Sequence, residues 1–309
     1  MKIGRFMSTN DRREGMRRKL IRQGVGGCTI YVPKRWVEQH RLAPGAEISI
    51  DTSGDQLILS PGTGRPLQEA TIALVNLSES SIRTLITNAY RSGYDRVRVT
   101  YENEQQERIL RDVVRTRLIG FEITGREKGA LIVENITEPA AEQFGTILRK
   151  YCFSIDEQFA LVAQALAGKK ADDLEQLQET IQKYDNFCRR VIAKERLLTP
   201  RPEMLWAFLS HLLHAERSLY HLVRSLQRTP HLVAYLEEIR ALWQLVRDAY
   251  LKTTVEPLAR VHERHAELEK HGLALLAKAK GPEAVALHWL LSSEREFYLA
   301  NSPLAGYLL

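Results

Sequence analysis

His262-Glu263-Arg264-His265 is the arrangement closest to a catalytic motif, because two histidines on one helix face with a glutamate between them can hold zinc beside a general base. That chemistry needs the histidines four residues apart, and here they are three apart, so the motif fails. His211, His214 and His221 share another stretch, but His214 and His221 lie two helical turns, about 10 Å, apart, too far for one ion. Cys28, Cys152 and Cys188 are odd in number, widely spaced and free of CxxC pairs, which fits reduced thiols and neither a disulfide framework nor a zinc site. Gly24-Val25-Gly26-Gly27 is followed by no Gly-Lys-Ser/Thr and cannot be a phosphate loop. With no nucleophile–base pair and no complete metal site, the expectation is a protein that is not an enzyme and holds no cofactor.

Charge offers a different chemistry. Up to Arg41 there are eleven basic and three acidic residues, an excess of eight in a chain whose formal net charge is +6. A polyanion partner is therefore expected at the N-terminus only. No apolar run approaches the roughly 20 residues of a membrane span, and no signal-peptide core opens the chain, so a cytoplasmic protein without membrane insertion is expected. Met7 and Met16 are alternative start positions.

The elements that must position these charges follow from periodicity. Residues 1–15 read as a flexible basic tail. From Arg17 the pattern alternates as strand, glycine turn and strand; Pro33 opens a short helix, and two more strands follow over Glu47–Asp51 and Gln56–Leu59. So small a β-β-α-β-β unit buries too little apolar area to stand alone, which favours an obligate homodimer.

Arg18 to Gly24, Thr29 to Trp36, Leu42-Ala43-Pro44-Gly45 and Asp55 to Leu59 resemble the AbrB or SpoVT-AbrB swapped-hairpin family over residues 16–62. The resemblance implies an intertwined dimeric β-barrel that binds double-stranded DNA. On that basis Arg17, Arg18, Lys19, Arg22, Lys34 and Arg35 are the candidate DNA-binding residues, and Leu20, Ile30, Val32, Ile48, Ile50, Leu57 and Leu59 would line the barrel core between two copies.

Residues 61–66 have linker composition, and residues 66–136 read as a small connecting α/β unit in the order β-α-β-α-β-β. From 137 to 309 the pattern is helical, broken at Gly168, Pro200, Pro202, Pro230, Pro257 and Gly281-Pro282 into about six helices. Leu212 to Tyr220 matches Leu290 to Tyr298, so two related three-helix halves are expected. This region resembles the PhoU six-helix bundle, and the segments around Ala89 to Asp95 and Leu118 to Glu122 resemble one that links an AbrB domain to it. In that family i, i+4 carboxylate pairs can hold metal clusters. Here each pair has lost a member: Ile181 stands before Asp185, Ala259 before Glu263, Tyr220 after Glu216 and Tyr298 after Glu294. No metal cluster is expected, the alternative being a single ion on Asp185, Glu216, Glu263 and Glu294.

Together the resemblances imply a multidomain α+β protein: an AbrB-type barrel, a central α/β unit and an all-α PhoU-like bundle. Its expected function is that of a homodimeric, DNA-binding transcription regulator of phosphate uptake. The alternative is a PhoU-type accessory protein that contacts a phosphate transporter or signalling protein. A MazE-like antitoxin is disfavoured because helical sequence stands where an acidic toxin-binding tail would be.

Overall fold

The computed structural model describes residues 17–309 except 25, 54–55, 63–66, 138–140, 195–200 and 226–228. The proposed tail, the alternative start positions and most of the proposed linker lie outside the described residues. The chain divides into two units, Met1–Pro66 and Leu67–Leu309.

In the first unit, β1 (Ile21–Gln23) pairs with β2 (Gly27–Thr29), and α1 (Lys34–Gln39) precedes a second hairpin of β3 (Ile48–Ser53) and β4 (Gln56–Pro61). The expected barrel is absent: the two hairpins form separate two-stranded sheets that close on nothing. A barrel needs each edge paired with the next strand, and here every strand has one ladder partner. The residues expected to line its core stay in view, with Leu20 70%, Ile50 60% and Leu57 67% exposed, Ile30 also exposed, and Val32, Ile48 and Leu59 half-buried. Among residues 17–62, none whose side chain is described is buried. A fragment ending at residue 66 is accordingly expected to lack a cooperative thermal transition by circular dichroism; a sharp melt would contradict this.

The second unit has three layers. Its sheet is ordered β5-β6-β8-β7, with β5 (Glu69–Ala73) parallel to β6 (Arg96–Thr100), and β8 (Ala130–Asn135) antiparallel to both β6 and β7 (Phe121–Glu127). The crossovers are α2 (Glu79–Arg91), capped by the Ser78 side chain, and α3 (Glu104–Arg117), capped by Asn103. Gln106 returns the favour to the Glu102 amide, a reciprocal cap that fixes where α3 begins. Leu74, Ile82, Val97, Val99, Leu110, Val113, Leu131 and Val133 fill the space between helices and sheet.

The remaining chain is helical: α4 (Phe144–Leu166), α5 (Leu174–Lys194), α6 (Pro202–Ser225), α7 (Val233–Lys252), α8 (Val261–Leu276), α9 (Pro282–Leu299) and α10 (Asn301–Leu308). Their apolar faces enclose Phe159, Phe208, Trp243 and Phe297 in one core. Helix α5 touches α4 and α6 on one side and α2 and α3 on the other. Residues 185 to 192 are buried without a break for that reason, which an amphipathic surface helix never shows. No described helix is long and apolar enough to cross a membrane.

Candidate functional site

The contact between the α/β layer and the helical layer is built from charge. Arg190 of α5 donates to the carbonyl oxygens of Tyr90 (3.0 Å) and Tyr94 (2.8 Å) and to Asp95 Oδ1 (3.0 Å), while Lys194 reaches the same Asp95 oxygen at 2.7 Å. Burial pushes the Asp95 carboxyl up, but the Gln68 amide and the Lys194 ammonium outweigh it and hold it below the usual range. Earlier on α5, Asp185 is fully buried and accepts from Arg91 Nη2 at 2.7 Å and Arg189 Nε at 2.9 Å. Asn186 completes the joint, accepting from Arg91 Nε (2.8 Å) and donating to the Arg117 carbonyl oxygen (2.9 Å).

Beside this joint opens a cavity of about 190 Å³ lined by four arginines, Arg83 and Arg91 of α2, Arg117 at the end of α3 and Arg217 of α6. Thr84, Thr87, Asn88, Gln182 and Asn186 complete the wall, so no carboxylate lines it. Two of the arginines are neutralised from outside the cavity: Arg83 by Glu79 (2.7 Å) and Asp112 (3.2 Å), Arg91 by Asp185. Arg117 and Arg217 form no ion pair among the described residues. The Arg117 Nε is moreover buried with no hydrogen-bond partner. Desolvation first, then the charges of Arg83 and Arg217, lower the Arg117 pKa against the pull of Asp112 and Glu179; desolvation and the charges of Arg189 and Arg217 do the same to Arg91 against the pull of Asp185. The guanidinium groups are thus close enough to repel one another. Donors without an acceptor, crowded in a partly desolvated cavity, suit an oxyanion.

A second polar cluster lies in the bundle. Glu216 is fully buried on α6; the Gln178 side-chain amide donates to its Oε1 at 3.3 Å and that of Gln158 to its carbonyl oxygen at 3.0 Å. Burial raises the Glu216 pKa to about 8, against the lowering charge of Arg217. Tyr151 Oη, Gln158 Oε1, Gln178 Oε1 and Glu216 Oε2 are left without partners. The repeat-related Glu294 on α9 is also buried, with His265 Nδ1 at 2.6 Å, and His265 stacks on Tyr298 at 3.7 Å between ring centroids.

The residues singled out from sequence are spread differently. Arg17, Arg18, Lys19, Arg22, Lys34 and Arg35 are exposed in the first unit, and none lines the arginine cavity. Of the carboxylates considered for metal, Asp185 is consumed by two arginines, Glu216 and Glu294 sit in separate buried clusters, and Glu263 is exposed on α8. Among the described residues no three His, Cys, Asp or Glu side chains converge on a metal position. The Tyr220 hydroxyl donates to Glu175 at 2.8 Å.

The four arginines were invisible to sequence reading because helices α2, α3, α5 and α6 bring them together only in the folded unit. Asp185 carries a local signal, Arg189 one turn further on, that marks an ion pair along α5 and not half of a lost metal pair.

Compared with known proteins, the chain matches no family model, no curated protein and no solved structure. The AbrB-like and PhoU-like identifications are therefore corrected, the first also because its barrel does not close. With them fall the transcription-regulator and phosphate-uptake readings, the accessory-protein alternative, and the DNA and homodimer partners, since the intertwined barrel meant to supply both is absent.

Proposed function

We propose that the Leu67–Leu309 unit is a non-enzymatic binding module for a small, multiply charged oxyanion held in the arginine cavity. The observation that carries this reading is the unpaired state of Arg117 and Arg217, with the buried Arg117 Nε aimed at no acceptor. The cavity of about 190 Å³ is smaller than the roughly 300–1,000 Å³ that drug-sized ligands occupy, which favours a phosphoryl or sulfuryl group over a whole nucleotide. Its wall of guanidinium, hydroxyl and amide groups contains no imidazole, thiol or carboxylate to move a proton, which supports binding without chemistry. Because the arginines come from both sides of the layer contact, a bound anion would tie the α/β layer to the helices. The buried free thiols Cys152 and Cys188 suit a reducing, cytoplasmic setting.

Isothermal titration with inorganic phosphate, sulfate and glycerol phosphate tests the proposal. One saturable site per chain is expected. Removing Arg117 or Arg217 by alanine substitution should each weaken binding by about ten- to a hundredfold, the worth of a charge-assisted hydrogen bond. The melting temperature without anion should hold or rise, since like charges are being removed. Absence of saturable binding of all three anions at millimolar concentration overturns the proposal.

A further inference from the structure

The sheet of the second unit is open, with β5 and β7 as its two edge strands, and the β7 edge is the one bordered by a groove. β7 has β8 as its one ladder partner, and no other described segment makes backbone hydrogen bonds to it. Alternate residues of β7 therefore direct N–H and C=O groups outward, the arrangement to which a further strand adds. Edges of this kind are commonly protected by proline, by extreme shortness or by an early bulge. β7 runs for seven residues without proline, and its irregularity comes only after Ile123, leaving Phe121–Ile123 in regular register with β8.

Alongside this regular half runs the C-terminal half of α3, and between the two lies a groove of about 540 Å³. Val114 of α3, Leu118 just beyond its end and Phe121 of β7 form a buried apolar floor, and Ile123 of β7 is the half-buried apolar side chain that meets an occupant. Arg111 and Arg115 stand exposed at its helix side. Their present partners, Glu107 at 2.7 Å and Asp112 at 3.0 Å, are neighbours on the same helix. Glu107 is largely buried and holds Arg111 in place, whereas the more exposed Arg115–Asp112 pair is weak and exchanges readily for a carboxylate from elsewhere. The groove shares no lining residue with the arginine cavity.

We propose that this groove is a docking site for an extended acidic segment of a partner protein, which adds to β7 as a fifth strand. Each feature constrains the occupant separately. The open backbone edge selects an extended chain, since a helix has no free backbone groups to offer it. The apolar surface takes side chains from alternate positions of that chain, the ones that face α3. The arginines select carboxylates, and their separation of one turn, about 6 Å along α3, nearly matches the roughly 6.6 Å between residues i and i+2 of a strand. Glu122 also borders the groove, and its position in β7 alternates with Phe121 and Ile123, so it faces the opposite side of the sheet from α3. The selected sequence is therefore acidic and apolar on one face and indifferent on the other.

Panning the full chain against a phage-displayed library of short random peptides tests this, with enriched peptides then synthesised and measured by fluorescence anisotropy. Enriched peptides should combine alternating apolar residues with acidic ones two apart. Affinity should fall at least about tenfold for the exposed double charge reversal Arg111→Glu with Arg115→Glu. N-methylation of alternate peptide amides should abolish binding while methylation of the intervening amides is tolerated, a pattern that only strand addition produces. No enrichment, or enriched peptides that bind the double variant equally well and ignore N-methylation, overturns the proposal. Self-association that the same charge reversal abolishes would give the edge to a second copy and overturn it as well.

Discussion

Replacing Asp185 with alanine is expected to remove about 3–5 kcal/mol of folding stability, measured by urea denaturation at neutral pH. Asp185 is fully buried and is the shared acceptor for Arg91 and Arg189. Without it the Arg189 guanidinium, itself buried, keeps among the described residues only Ser210 Oγ at 3.2 Å and the face of Trp206 at 4.8 Å. A buried cation that loses its counter-charge costs more than the attraction removed, because its desolvation is no longer offset. Arg91 has a way out, since it borders the arginine cavity and can turn toward an anion there. Saturating sulfate is expected to restore part of the lost stability, and the variant should bind sulfate more tightly than the parent chain. A loss below about 1 kcal/mol would show that the joint is not maintained by this carboxylate.

The Glu216→Gln chain should be more stable than the parent at pH 7, by on the order of 1–3 kcal/mol. In the unfolded chain this glutamate ionises near 4.5, whereas burial in the folded chain delays ionisation to about 8. Between those values the folded state holds a proton that the unfolded state has released. Stability therefore falls as pH rises through this window, by up to about 1.4 kcal/mol per pH unit. A glutamine pays no such penalty, and its NH₂ can donate to the unpartnered Gln158 Oε1 or Gln178 Oε1. Denaturation curves at intervals from pH 5 to pH 8 should show the parent losing stability while the difference from the variant widens with pH. Parallel profiles would mean that Glu216 is ionised in the folded protein throughout.

Local features were legible in the sequence and assembled ones were not. The helices described between Phe144 and Leu308 and the alternation of strands and helices between Glu69 and Asn135 are written in apolar spacing, which each segment carries by itself. Ser78 and Asn103 mark helix starts through their own side chains. The barrel was an inference about pairing between distant strands, and alternation of Leu20, Ile30, Ile50 and Leu57 says that one face is apolar without saying what covers it. Matching short motifs to the AbrB and PhoU families added no physical constraint, because strand-turn-strand-proline-helix and Leu-rich helical repeats arise from general rules. Arg83, Arg91, Arg117 and Arg217 carry no mutual signal at all. Their convergence depends on α5 having polar residues on the side turned to α2 and α3, which periodicity alone reads as solvent-facing.

Helix α5 is held on both sides, by α4 and α6 and by α2 and α3. Native-state hydrogen exchange registers that position directly. The amides of Asp185 to Ile192 cannot be exposed by peeling either layer away singly, because the other still covers them. They are expected to exchange only when both layers separate, and protection of these amides close to the global unfolding energy would place sheet and helices in one cooperative block.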